Sequence, residues 1–259
     1  MIDIQNQPDF RNIPIDKVGI KGLKYPVTVL DKNDGVQSTV AQINMYVDLP
    51  HQCKGTHMSR FVEILNLVRT RVSLESLTNI LEDMKETLNA ESSHIEITFP
   101  YFIEKKAPET GSKGLMDYTC SIFGSSRRDQ HTDIVLKVAV PVTSVCPCSK
   151  EISKYGAHNQ RGEVLVSTRF KKFIWIEDVV DLVEKNASCD IFSVLKREDE
   201  KFVTERAYNN PKFVEDIARD IAKDLMSDPN ITWFSVSAEN FESIHNHSAY
   251  AYIEKSVEP

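Results

Sequence analysis

The chain has 259 residues, enough to bury a substantial core as one large domain or two smaller ones. Its 41% apolar and 27% charged residues are ordinary for a soluble globular protein. A net charge of −7, from 31 Lys+Arg against 38 Asp+Glu with no long basic run, argues against duplex nucleic acid as a partner; a small anionic substrate in a local basic pocket stays open.

The first ten residues, MIDIQNQPDF, lack the basic and apolar regions of a secretory signal. No run approaches ~18 consecutive apolar residues. The expectation is a cytoplasmic chain with no membrane span, in which five cysteines are free thiols or metal ligands rather than disulfides. Neither G-x-G-x-x-G nor G-x-x-x-x-G-K-[ST] occurs, which removes the Rossmann fingerprint and the P-loop.

In chain order, residues 1–16 are polar with two prolines and read as an extended arm. KYPVTVLDK and STVAQINMYVDL read as strands, the second alternating at Ala41, Ile43, Met45 and Val47. HMSRFVEILNLVRT reads as a helix with Met58, Phe61, Val62, Leu65 and Val68 on one face. SLESLTNILEDMKETL follows, with Ser73 as N-cap and an apolar stripe of Leu77, Ile80, Leu81 and Met84. HIEITFPYFIEKKA and DYTCSIFGSS are strands joined by the turn-rich PETGSKG. The order then repeats. Strands TDIVLKVAVPVTSV and EVLVSTRF precede helices IEDVVDLVEKNA and PKFVEDIARDIAKDLMS, and strands ITWFSVSAENFES and HSAYAYIEKS close the chain. This predicts an α+β fold of antiparallel strands with helices layered on one sheet face, in two units, 17–130 and 131–259.

The chemistry concentrates in SVCPCSKEISKYGAHNQR. Cys146 and Cys148 are separated by Pro147 alone, whereas redox pairs and closed zinc clips use two intervening residues. Two buried inert thiols are the plain alternative. His158 lies in a loop by composition, and His245 and His247 would share one face if their segment were a strand. The run Asp199-Glu200-Lys201 reads as solvated surface. Glu215 falls in the first turn of a predicted helix, where a carboxylate favours the dipole. Taken together, sulfur, imidazole and carboxylate donors spread over a hundred residues suit an open catalytic site for a zinc-class metal better than a closed clip.

The stretch TSVCPCSKEISKYGAHNQRGEV, with GTHMSRF upstream and DEKFVTERAYNNPKFVED and ESIHNHSAYA downstream, resembles GTP cyclohydrolase IB over nearly the whole chain. The resemblance implies a tandem tunnelling fold, two β-β-α-α-β-β units whose copies assemble into barrels, and a homotetramer with active sites near subunit interfaces. It implies conversion of GTP and water to 7,8-dihydroneopterin triphosphate and formate, the first step of tetrahydrofolate synthesis, with one divalent ion (Mn²⁺, Zn²⁺ or Fe²⁺) per site. Motif positions imply Cys146, His158, Glu200 and His245 as metal ligands, and His247 for proton transfer. Glu242 is implied as a further acid–base beside the histidine pair, and Glu215 as the guanine anchor. Lys150, Lys154, Arg161, Arg127 and Arg128 are the cations available for the triphosphate, and His57 is a cross-subunit candidate. Cys148 is left supporting the Cys146 loop or as an alternative ligand, while Cys53, Cys120 and Cys189 read as ordinary buried thiols. Two other readings share these residues: an archaeal-type enzyme forming a 2′,3′-cyclic phosphate, and a non-catalytic purine- or pterin-binding protein with a structural metal.

Overall fold

Alternation and turn chemistry set the first half of the chain. The computed structural model describes Gln5 and residues 9–67, 71–128 and 130–257. It begins with β1 (Ile15–Asp31), β2 (Gly35–Leu49), α1 (Met58–Leu67), β3 (Arg71–Val72), α2 (Leu74–Leu88), β4 (Ser92–Lys106) and β5 (Lys113–Arg127). It continues with β6 (Asp133–Val145), α3 (Pro147–Ile152), β7 (Asn159–Phe170), α4 (Ile176–Asn186) and β8 (Cys189–Asp190). The last elements are α5 (Arg197–Asn209), α6 (Val214–Ser227), β9 (Ile231–Asn240) and β10 (Ala249–Ser256). Two units are distinguished, one holding the chain up to Pro100 with Ser121–Leu136, the other Tyr101–Cys120 with the chain from Lys137 onward.

In the first unit β2 pairs antiparallel with β1 and with β4, and β3 joins β1 in parallel. Ala41, Ile43, Met45 and Val47 are buried as their alternation predicts, facing the same layer as Ile95 and Ile97 of β4. α2 starts as expected. The Ser73 side chain accepts the N–H of Ser76, and the Ser76 side chain accepts that of Ser73. Its stripe of Leu77, Ile80, Leu81 and Met84 is buried, each side chain contributing roughly 1.5–3 kcal/mol. A Cβ on Gly124 would lie 2.9 Å from Ile95 and 3.1 Å from Leu81, so this glycine permits α2 to sit close on the strands. In α1 the buried residues are Phe61, Ile64 and Leu65. Met58 is exposed at the first residue of the helix and Val62 is half-buried, so the buried face runs through Phe61, Ile64 and Leu65. Val68 lies outside the described residues.

In the second unit β9 pairs antiparallel with both β7 and β10, and β8 with β6. α4 buries Val179, Val180 and Val183 beside α6, and α6 buries Ile217, Ala218, Ile221 and Leu225 on β9, whose Phe234, Val236 and Ala238 are buried too. The Lys105 ammonium lies 2.8 Å from Glu184 and 2.9 Å from Asp190 in a largely buried cluster. Burial pushes the Glu184 carboxyl up, against the pull of Lys105.

Two helices depart from the expectation. α3 replaces the loop after Cys146, and α5 replaces the solvated charge run. Only Asp199 and Ala207 are buried along α5, so it carries no apolar stripe for periodicity to reveal. Asp199 is fully buried instead, and accepts from the backbone N–H groups of Lys196, Glu109 and Thr110 and from the Thr110 hydroxyl. Desolvation alone would raise its carboxyl, but these donors outweigh burial and hold it below the usual range. One carboxylate thus caps α5 and fastens it to the β4–β5 turn, where Gly111 takes φ +67°. Among the described residues, no helix is long and apolar enough to cross a membrane.

Candidate active site

The end of β6, the short α3 and the start of β7 interlock in the second unit. Pro147 occupies the first turn of α3, where its missing N–H costs nothing, and Cys146 becomes the N-cap, its sulfur accepting the Ser149 N–H at 3.4 Å. The Cys146 N–H donates to the His158 carbonyl at 3.2 Å. The Ser149 hydroxyl donates to the Cys146 carbonyl at 3.1 Å and accepts the His158 N–H at 3.2 Å. Cys146 and His158 are therefore strapped together by their backbones, with Ser149 as the buckle. The His158 side chain is largely buried, with Nδ1 2.9 Å from Oε1 of buried Gln160 and 4.0 Å from the Glu242 carboxylate. Cys148, two residues on, is exposed.

Beneath this corner Val145, Cys189 and Ala207 form a small core, flanked by Ala157 and Val203. Val203 and Ala207 lie three and seven residues after Glu200 on α5, so Glu200 shares the helix stripe that packs with Val145 and Ala157, the residues preceding Cys146 and His158. Its side chain is exposed. The Cys189 thiol is pushed up to about 11 by burial and then by Asp190, and burial raises the Cys120 thiol too, so both stay protonated and inert. Cys53 does not follow the expectation of burial: it is exposed, in the turn after β2.

The corner continues into the β9–β10 connection, because the Phe241 N–H donates to the Arg161 carbonyl at 2.9 Å. A Cβ on Gly162 would lie 2.7 Å from the Asn240 side chain, so glycine is what lets β7 and β9 close at this point. Glu242, expected to act as an acid–base beside the histidine pair, has its carboxylate 4.0 Å from His158 Nδ1. His245 and His247 do not occupy a strand: β10 begins only at Ala249, and both side chains are exposed in the connecting loop. Their rings nevertheless stack, with centroids 5.1 Å apart and planes at 17°.

Glu215 is exposed in the first turn of α6, and the segment leading into that helix is tied to the corner by the Lys212 N–H donating to the Val145 carbonyl at 3.0 Å. Among the candidate cations, Lys150 donates to the Tyr208 carbonyl at 2.6 Å and covers the Tyr208 ring, whereas Lys154 and Arg161 are exposed. Arg127 and Arg128 belong to the first unit, where Arg128 lies 3.6 Å from Glu91 and Arg127 lines a charged cavity with Lys17, His94 and Asp133. His57 precedes α1, its carbonyl accepting the Arg60 N–H. The structure thus joins Cys146, His158 and Glu242, and places Glu200 and His245 on elements beside them. Among the described residues, no group of three or more His, Cys, Asp or Glu side chains is arranged to hold a metal ion. Ser149, Gln160 and Asp199 were not singled out from sequence; only Gln160, two residues after His158 in a β-prone segment, left a readable signal.

A family model described as type I GTP cyclohydrolase folE2 matches residues 1–251. The chain belongs to that family. It is 63% identical to GTP cyclohydrolase FolE2 of Desulfosudis oleivorans, over 98% of this chain and 97% of that one. It is 60% identical to the FolE2 of Syntrophobacter fumaroxidans, over 99% of this chain and all of that one. Among solved structures, a uricase from Bacillus fastidious covers 93% of this chain and 92% of its own at TM-score 0.56 and 9% identity. The uricase from Arthrobacter globiformis covers 94% and 93% at TM-score 0.52 and 9% identity. At such identities the likeness is one of fold: antiparallel sheet with helices on one face.

Proposed function

We propose that the GTP cyclohydrolase reaction of this FolE2 family member runs at a divalent metal centre built on Cys146 and His158. The enzyme is a hydrolase of folate biosynthesis, and its reaction takes GTP and water to 7,8-dihydroneopterin triphosphate and formate. The observation that carries the reading is the interlock that ties the Cys146 and His158 backbones to each other, with the Nδ1 edge of the imidazole already engaged by Gln160. A soft sulfur beside an oriented imidazole suits zinc, iron(II) or manganese, and Glu200 on α5 and His245 on the adjoining loop supply the remaining donors. A bound cation of this kind makes water nucleophilic near neutral pH by lowering its pKa to roughly 7.

The other residues bind and move protons. Glu215, exposed at the head of α6, accepts the guanine N1–H and 2-amino hydrogens on its two carboxylate oxygens. Glu242 and His247 serve proton transfer as the guanine imidazole ring opens and formate leaves. Lys154 and Arg161, exposed beside the corner, suit the triphosphate better than Lys150, which Tyr208 holds. The exposure of Glu215, His245 and His247 supports an active site covered by a neighbouring copy, with His57, Arg127 and Arg128 available from it. We extend this to a cytoplasmic homotetramer of tandem tunnelling units, a reading favoured by the β-β-α-α-β-β order of long elements in the first half, which the second half repeats with α5 as an added helix, and by the likeness to uricases.

The test is a formate and pterin-fluorescence assay on metal-stripped protein with each metal added back. Recovery with one divalent ion and a triphosphate product is expected. Full activity without metal would remove the proposed centre, and a 2′,3′-cyclic phosphate product would assign the archaeal-type reaction.

A further inference from the structure

Gln160 has no part in the assignments above, yet its side chain lies within hydrogen-bond distance of the His158 ring. It is 7% exposed, on the first residues of β7, and its Oε1 lies 2.9 Å from His158 Nδ1. Its Nε2 lies 2.8 Å from the hydroxyl of Ser144, which is fully buried on β6. The Glu242 carboxylate approaches the same imidazole nitrogen at 4.0 Å. A carboxylate facing Nδ1 favours a proton there, because an N–H dipole points its positive end at the negative charge. An Nδ1–H needs an acceptor at 2.9 Å, which orients the Gln160 amide with oxygen toward the ring and nitrogen toward Ser144. The lone pair of the imidazole then falls on Nε2, away from all three groups.

We infer that Gln160, anchored by Ser144, is the positioning residue that fixes the Nδ1–H tautomer of His158 and so presents Nε2 as a ligand. This inference rests on the proposed metal centre for its consequence, though the tautomer itself does not. A partner on the far nitrogen fixes ring orientation and raises ligand basicity, and losing one typically costs 10–100-fold in metal affinity.

The test has two arms. In the first, ¹⁵N-detected NMR of the metal-free full-length protein reads the His158 tautomer, with His158→Gln supplying the assignment. Nδ1–H is expected, and a predominant Nε2–H overturns the inference. In the second, Co²⁺ affinity is measured against a competing chelator for Gln160→Leu, Gln160→Glu and His158→Gln. Gln160→Leu should bind about 10–100-fold more weakly. Gln160→Glu, which keeps an acceptor at Nδ1, should stay within about threefold, a rescue that mere packing would not give. Melting curves show that the variants are folded, and if Gln160→Leu is not, the failure of Gln160→Glu to keep wild-type affinity overturns the role. Unchanged affinity in Gln160→Leu beside lost affinity in His158→Gln rejects the Gln160 role alone. Unchanged affinity in all three variants rejects the metal centre and this role with it.

Discussion

The Cys146–His158 corner and the β9–β10 loop both carry imidazole, and they are built in opposite ways. At the corner every backbone group of the two functional residues that is described has a local partner, a small apolar core lies beneath, and Gln160 and Glu242 hold the ring. In the loop His245 and His247 stack on each other but project from an exposed connection, tethered chiefly where Phe241 meets Arg161. The difference teaches a division of labour. On the proposed assignment, a preorganised pair would fix where the reaction happens, and a less constrained pair would meet the substrate from an exposed loop.

The largest way to break this comparison is to take the metal away. Chelation should abolish formate release, a loss of at least about a hundredfold, and one added divalent ion should restore it. Activity that survives exhaustive stripping would leave the corner's order without its proposed purpose. Next in size, Glu215→Gln should weaken GTP binding by about 1–3 kcal/mol, tenfold or more, because an amide turns an N–H toward a guanine donor and leaves both unpaired. Metal content should not change, and stability should fall by no more than the about 0.3–1 kcal/mol of a first-turn carboxylate, since Glu215 is exposed and outside the corner. A variant that keeps GTP but loses metal would move Glu215 into the coordination sphere.

The corner and the loop can also be set against each other directly. His158→Ala should lower metal affinity more than His245→Ala, by about tenfold, because only the former removes a ligand that the fold has already oriented. Equal losses, measured by competition with a chelator, would erase the distinction. The smallest predicted effect concerns α5, which carries Glu200. The Asp199 carboxyl is held below its ordinary range, so its stabilisation is complete above the unfolded value near ~4 and drains away as pH falls beneath that. Asp199→Asn should therefore flatten the acid limb of the stability profile while leaving its neutral limb parallel to wild type. An unchanged acid limb in urea melts would show that the four donors do not depend on the charge.

Much of this architecture is legible in the sequence because it is driven by apolar pattern and cap chemistry. The stripe of α2, its Ser73 cap, the turn around Gly111 and the stripe of α6 all follow from residue spacing. What escapes is held by polar groups acting over long sequence distances. α5 has almost no apolar face and is secured by Asp199 reaching the β4–β5 turn, a partnership that no local window contains. Cys146 as an N-cap depends on Pro147 at the first turn, and a Cys-Pro-Cys run reads as a loop because α3 is too short to show periodicity. The β-prone residues after His247 extend the expected strand backward, whereas pairing with β9 begins only at Ala249 opposite Asn240. The membership of the corner was read from motif resemblance, but its wiring through Ser149 and Gln160 appears only once β6 and β7 are side by side.

The most direct test of the corner as the metal centre compares two cysteines that the sequence places almost together. Metal content per chain and formate turnover would be measured for Cys146→Ala and Cys148→Ala, purified and reloaded identically. Cys146 is strapped to His158 and partly buried, and Cys148 is exposed on α3. Cys146→Ala should come out nearly metal-free and inactive, with Cys148→Ala loaded and active to within a few-fold of wild type. A loaded, active Cys146→Ala, or an empty Cys148→Ala, would contradict the account.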